Sequence, residues 1–169
     1  MDPAEIKKRN SEAPYRIIGK VSEDTLFIDL SQEKNEHYQI RKMTIIIDEI
    51  IKNPTSIKKS IHSIDVYYTY IPLWRAREYT GGKFMDITVN DVIEIWLEEG
   101  NYGWEPVVSG DSVRHIEYVE NRNEPIAEPP LDFLERKVES RIEHNPNSIV
   151  ITGIIFTIFI LCYIGLRKR

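Results

Sequence analysis

The apolar positions show three textures along the chain. In residues 15–119 they come as short runs, rich in β-branched and aromatic side chains and broken by turn-forming residues, which predicts a sheet. Residues 15–21 and 25–30 read as two strands of a hairpin, turned at Ser22-Glu23-Asp24. Residues 43–51 (MTIIIDEII) have strand composition. Met43, Ile46, Ile47, Ile50 and Ile51 also sit at helical spacing, so strand and helix both stay open there. Ile57, Ile61 and Ile64 predict a short helix with Thr55 or Ser56 as its cap. Residues 64–71 (IDVYYTYI) and 92–97 (VIEIWL) read as strands, and Trp104 starts a return to the sheet. Ser109-Gly110-Asp111 is a tight turn before a last strand over residues 112–119. Neither face of that strand is purely apolar, which places it at an edge.

The second texture begins at residue 120. Residues 120–130 hold three prolines and no periodicity, the mark of an extended linker. In residues 131–144 Leu131, Leu134, Val138 and Ile142 form one stripe, so an amphipathic helix follows. The third texture is residues 149–166, IVITGIIFTIFILCYIGL, uncharged and closed by Arg167, Lys168 and Arg169. Eighteen helical residues rise about 27 Å, close to a hydrocarbon core of about 30 Å. The run predicts a transmembrane helix from Ile149 to Leu166, with Phe156 and Phe159 in its body and the basic tail at the far interface. The lipid bilayer is therefore an expected partner.

Charge does not orient this span. Arg136, Lys137 and Arg141 precede it and three basic residues follow it, a tie under the positive-inside rule. Residues 1–14 are polar, without the apolar stretch of a secretion signal, and read as a flexible arm. A domain made first, with its hydrophobic segment last, is expected to stay cytoplasmic, giving a single-pass, tail-anchored membrane protein.

Composition narrows the chemistry. The chain of 169 residues carries a net charge of −5, and the part ahead of the basic tail carries −8. An acidic domain is a poor partner for phosphate backbones, so nucleic acid is the less favoured ligand. The one cysteine, Cys162, lies in the apolar run and supplies no disulfide or zinc cluster. His37, His62, His115 and His144 are scattered, and no phosphate loop, dinucleotide fingerprint or nucleophile elbow occurs, so no metal, cofactor or catalytic residue is expected. Asp86, Asp91, Glu94, Glu98 and Glu99 leave a carboxylate-based hydrolase as a remote alternative.

One cluster stands apart. Around Tyr67, the residues Tyr68, Tyr70, Trp74, Arg75, Arg77 and Tyr79 interleave rings with guanidinium groups. Such a mixture makes protein hot spots, rests among lipid headgroups, or stacks single-stranded bases. In a strand, alternate rings also simply fill a core. Partner binding is assigned to these six residues.

Thr88-Val89-Asn90-Asp91-Val92-Ile93-Glu94-Ile95 resembles the V-G-D-x-V-x-V turn and strand of small barrels of the oligonucleotide/oligosaccharide-binding (OB) type, with Asn90 in the glycine place. Further on come Asp111-Ser112-Val113-Arg114, the segment Asp132-Phe133-Leu134, a charged helix and a membrane helix ending in Arg-Lys. That order is similar to the GIDE (BAM) β-rich domain of mitochondrial membrane E3 ubiquitin ligases. The resemblance covers the second half of the chain and implies a membrane-tethered β-domain that binds a partner. A first membrane helix and a RING are missing from it, so ligase activity is not implied.

The sequence thus predicts a mainly β, barrel-like or OB-like domain at residues 15–119, a linker, an amphipathic helix and one transmembrane helix. The function expected is a non-catalytic interaction or scaffolding module with a protein partner at the membrane surface. The alternatives are a membrane-tethered single-strand binder and a hydrolase.

Overall fold

The computed structural model describes residues 1–30, 38–53, 61–72, 74–75, 82–122 and 124–144. The chain divides into two units, residues 1–126 and residues 127–169.

The first unit is a small closed barrel. Its strands are β1 (Tyr15–Asp29), β2 (Gln39–Lys52), β3 (Ser63–Tyr70), β4 (Val92–Glu99), β5 (Trp104–Pro106) and β6 (Val113–Glu117). β1, β2 and β3 form an antiparallel meander. β3 then meets β5 in parallel at Val66 and Trp104, β5 pairs with β4, and β4 closes the ring on β1. β5 and β6 lie on the same edge of β4, facing residues 97–99 and 92–95 respectively. They act as two halves of one strand, parted by Val107, Val108 and a 3-10 turn at Ser109–Ser112. The result is a five-stranded barrel with the order β1-β2-β3-β5-β4-β1, an OB-like arrangement.

Strand alternation fills this barrel. Tyr15, Ile17 and Val21 of β1, Met43 and Ile45 of β2, and Ile93, Ile95 and Leu97 of β4 are fully buried. On β3 the inward set is Ile64, Val66, Tyr68 and Tyr70, while Ser63, Asp65 and Thr69 are exposed. Bending so few strands into a ring needs irregularities. The β1–β2 ladder shifts register four times, once beside Gly19. A Cβ on Gly19 would collide with the Ile46 carbonyl oxygen and the Ile45 side chain, so the close approach of β1 to β2 requires glycine there.

Several expectations are corrected. Residues 15–30 form no hairpin: β1 runs unbroken from Tyr15 to Asp29, and a register shift between Val21 and Glu23 absorbs the polar break. Ser22 Oγ donates to the Thr44 carbonyl across the ladder at 3.0 Å. Residues 43–51 belong to a strand, because tertiary pairing on both edges outweighs the helical spacing. The short helix predicted around Ile57 falls largely outside the described residues, and Ile64 lies in β3.

The flexible arm is instead a helix, α1 (Pro3–Glu12). Asp2 caps it, its carboxylate accepting from the Ala4 N–H at 3.1 Å, and Pro3 opens its first turn. Ile6 and Ala13 pack with Val107, Val108 and Trp96 in a second, small apolar cluster.

The second unit holds α2 (Pro130–His144), over the residues where an amphipathic helix was expected. Arg136 holds Glu128 through two hydrogen bonds of 2.8 and 2.7 Å, which ties the helix to the residues before it. Ile149–Leu166 and the basic tail lie outside the described residues. Among the described residues no helix is long and apolar enough to cross a membrane.

Candidate functional site

The predicted aromatic and arginine cluster divides in the fold. Tyr68 and Tyr70 point into the barrel and are buried. Tyr68 donates to Asp24 Oδ1 at 2.9 Å, and Arg41 binds the same carboxylate through Nε at 3.0 Å. Arg41 also donates to Gln39 Oε1 at 2.9 Å, so a polar network joins β1, β2 and β3. Burial pushes the Asp24 carboxyl up, a push that Arg41 and Tyr68 only partly offset. Burial, then the neighbouring Asp24 charge, holds the Tyr68 phenol well above its ordinary value. The Tyr70 phenol is likewise raised by burial and by its hydrogen bond to Glu124. Trp74 is half-buried and donates from Nε1 to the Ile126 carbonyl at 3.3 Å, and Arg75 lies 5.7 Å from its ring. Arg77 and Tyr79 lie outside the described residues.

A different set of rings meets on the outside. Phe27 near the end of β1, Tyr67 on β3 and Tyr102 in the turn between β4 and β5 converge. Phe27 lies 5.0 Å from Tyr67 and 5.4 Å from Tyr102, in edge-to-face contacts that suit aromatic pairs. Tyr67 and Tyr102 are 6.2 Å apart. Phe27 and Tyr102 remain 47% and 45% exposed, so these rings form a surface platform and not a core. Gly103, at φ 136°, lets the turn pass close to Tyr67; a Cβ there would sit 3.2 Å from the ring.

Next to the platform β3 and β5 separate, since Val66–Trp104 is their one registered pair. The cleft left between them has a volume of about 210 Å³ and is lined by Tyr67, Thr69, Ile71, Met85, Glu105 and Ser109, among others. Glu105 accepts from the Tyr102 N–H at 3.1 Å and so fixes the turn that carries the ring. The basic groups of β2 beside this surface are committed: Arg41 to Asp24, and Lys42 to Asp65 at 3.3 Å. In OB-type barrels the face of strands 2 and 3, with the loops joining strands 1–2 and 4–5, carries the ligand. The platform occupies that face.

Four of the five acids singled out from sequence, Asp86, Asp91, Glu94 and Glu98, are bound to arginines. The Asp91 carboxylate accepts from the Thr88 and Val119 N–H groups, each at 2.9 Å, and from Arg122 Nη2 at 2.8 Å. Arg122 reaches Asp86 at 2.8 Å and stacks 3.8 Å above the Tyr118 ring. Glu94, buried on the outer face of β4, is clamped between Arg16 and Arg114. Glu98 pairs with Arg9 of α1 at 3.3 Å. His115 Nε2 lies 3.3 Å from Asp91, and among the described residues no three His, Cys, Asp or Glu side chains group to hold a metal ion. These carboxylates stitch the barrel together: Asp91 joins the turn before β4 to the chain leaving β6.

Sequence reasoning singled out the stretch that holds Tyr67 but not Phe27 or Tyr102. Tyr102 sits between two stretches read as strands, and Phe27 in a run read as one strand of a hairpin. The signal for Tyr67 was parity: it is the odd tyrosine in a strand whose even positions face inward.

The class defined by the fold is a small OB-like barrel, here with exposed aromatic rings on one face. Comparison with protein families, with curated proteins and with solved structures found no match.

Proposed function

We propose that the protein is a non-catalytic interaction module held at a membrane surface, its barrel binding a protein partner through the Phe27–Tyr67–Tyr102 platform. The observation that carries this reading is the exposed three-ring platform on the ligand face of an OB-like barrel. Exposed rings set in a polar surround are what partners use as anchors. Residues 149–166 act as the membrane span in this reading, on the strength of their length and lack of charge. Tethering raises the local concentration of the barrel for a partner in the same membrane. The cytoplasm is the side proposed for the barrel. The likeness to the GIDE domain supports the same plan, a β-rich domain beside a bilayer, without its ligase chemistry.

A photo-crosslinking side chain placed at Tyr102 of the membrane-inserted full chain tests the platform. A discrete adduct that disappears on Phe27→Ser is expected. An adduct pattern unchanged by Phe27→Ser contradicts the reading.

Single-strand binding is the second reading, favoured by the position of the rings on the OB ligand face. It requires salt-sensitive affinity for a labelled oligonucleotide, lost on Tyr102→Ala, Arg75→Ala or Arg77→Ala. The committed state of Arg41 and Lys42 weighs for a protein partner.

A further inference from the structure

We propose that α2 lies in the headgroup layer of the bilayer, with its Leu131–Leu134–Val138 face sunk toward the acyl chains. This rests on reading residues 149–166 as a membrane span. Leu131, Leu134 and Val138 occupy one face of α2 at spacings of three and four, and they are 78%, 56% and 57% exposed. On the other side Phe133 lies beneath Arg136 and Lys137, 5.8 and 5.2 Å from their charged groups. The helix therefore presents an uncovered apolar stripe and a charged back.

Chain length selects what covers the stripe. Residues 145–148, four in number, join the end of α2 at His144 to the span. Even fully extended, the five steps from His144 to Ile149 reach only about 18 Å. The last turn of α2 must then stay within that reach of the hydrocarbon boundary, whatever the barrel does. The nearest apolar phase to the stripe is the bilayer, and the short tether gives it a very high effective concentration there. Residues 130–144 hold four acidic and three basic side chains. Attraction to anionic lipid is therefore not the driving force, and the stripe must partition by apolar burial.

The test uses the full chain in phosphatidylcholine vesicles, with Cys162→Ser so that one introduced thiol carries an environment-sensitive fluorophore. Leu134→Cys places the label on the stripe and Ser140→Cys places it on the opposite face. Resistance to alkaline carbonate reports the span separately. The expected result is a retained chain, a blue-shifted label at 134 that a lipid-borne quencher reaches, and a label at 140 that remains in water. Adding phosphatidylserine should leave this unchanged. A retained chain with both labels equally wet overturns the proposal while leaving the span intact. A label at 134 that is blue-shifted but beyond the lipid quencher also overturns it, since protein would then cover the stripe. Release by carbonate overturns the reading of the span, and this proposal with it.

Discussion

At the scale of single residues the barrel depends on positions whose chemistry is set by the backbone. Asn90 has φ 78°, in the left-handed region, and occupies the place where the related turn pattern has glycine. Its N–H donates to the Val21 carbonyl at 2.8 Å, holding the turn to β1. Asparagine tolerates this conformation better than most side chains. Asn90→Gly should leave stability unchanged or raised, and Asn90→Ala should cost about 1 kcal/mol in denaturant unfolding. Asp91, next in sequence, gathers two backbone N–H groups and Arg122 with no exposure at all. Asp91→Ala should cost about 3 kcal/mol or more, because Arg122 then loses its buried partner.

The tyrosines give a pH signature. Tyr68 and Tyr70 have folded-state values raised above the ordinary 10.0, by burial first. A group raised in this way favours folding fully below pH 10, and the contribution is lost as pH climbs toward the folded value. Ultraviolet titration should therefore show these two phenols still protonated when exposed tyrosines have ionised, and their ionisation should coincide with unfolding. Titration of all tyrosines together in the folded chain would contradict their placement.

At the scale of elements, strand composition and alternation located β3 and β4 within a residue or two, because β3 buries one face and leaves the other largely in water, and β4 sets Ile93, Ile95 and Leu97 on one fully buried face. β1 defied the same reasoning. Ser22-Glu23-Asp24 has the composition of a turn, yet a bulge carries it through the ladder, with Asp24 turned inward onto Arg41. Pairing with a distant strand, not local preference, decided it. α1 was illegible for a related reason. Its apolar content is slight, and Ile6 gains meaning only beside Trp96, Val107 and Val108, which lie about a hundred residues away. The aromatic site was half legible: the tyrosine-rich strand announced itself, but the convergence of Phe27 and Tyr102 on Tyr67 depends on barrel closure. Gly19→Ala tests the tightest contact between elements. It should cost about 1–3 kcal/mol, since the intruding methyl meets backbone that cannot move aside. Ile6→Asp should detach α1, seen as lost hydrogen-exchange protection over residues 3–12 while β4 stays protected.

At the scale of the whole molecule, the proposed role asks for two things, a binding face on the barrel and a membrane span in residues 149–166. In the proposed reading the acidic balance of −5, and the arginines occupied by Asp24, Asp91 and Glu94, weigh for a polypeptide partner over a phosphate backbone. Tyr102→Ser and Phe27→Ser should abolish partner capture with little change in melting temperature, because both rings sit outside the core cluster. The central claim is that residues 149–166 hold this barrel at a bilayer. Alkaline carbonate extraction of membranes carrying the full chain tests it most directly, with Phe156→Lys/Phe159→Lys as the comparison. Each lysine near the middle of a span opposes insertion by about 3 kcal/mol. The account predicts that the natural chain stays in the membrane pellet and the double variant moves to the supernatant. A natural chain released by carbonate would contradict it.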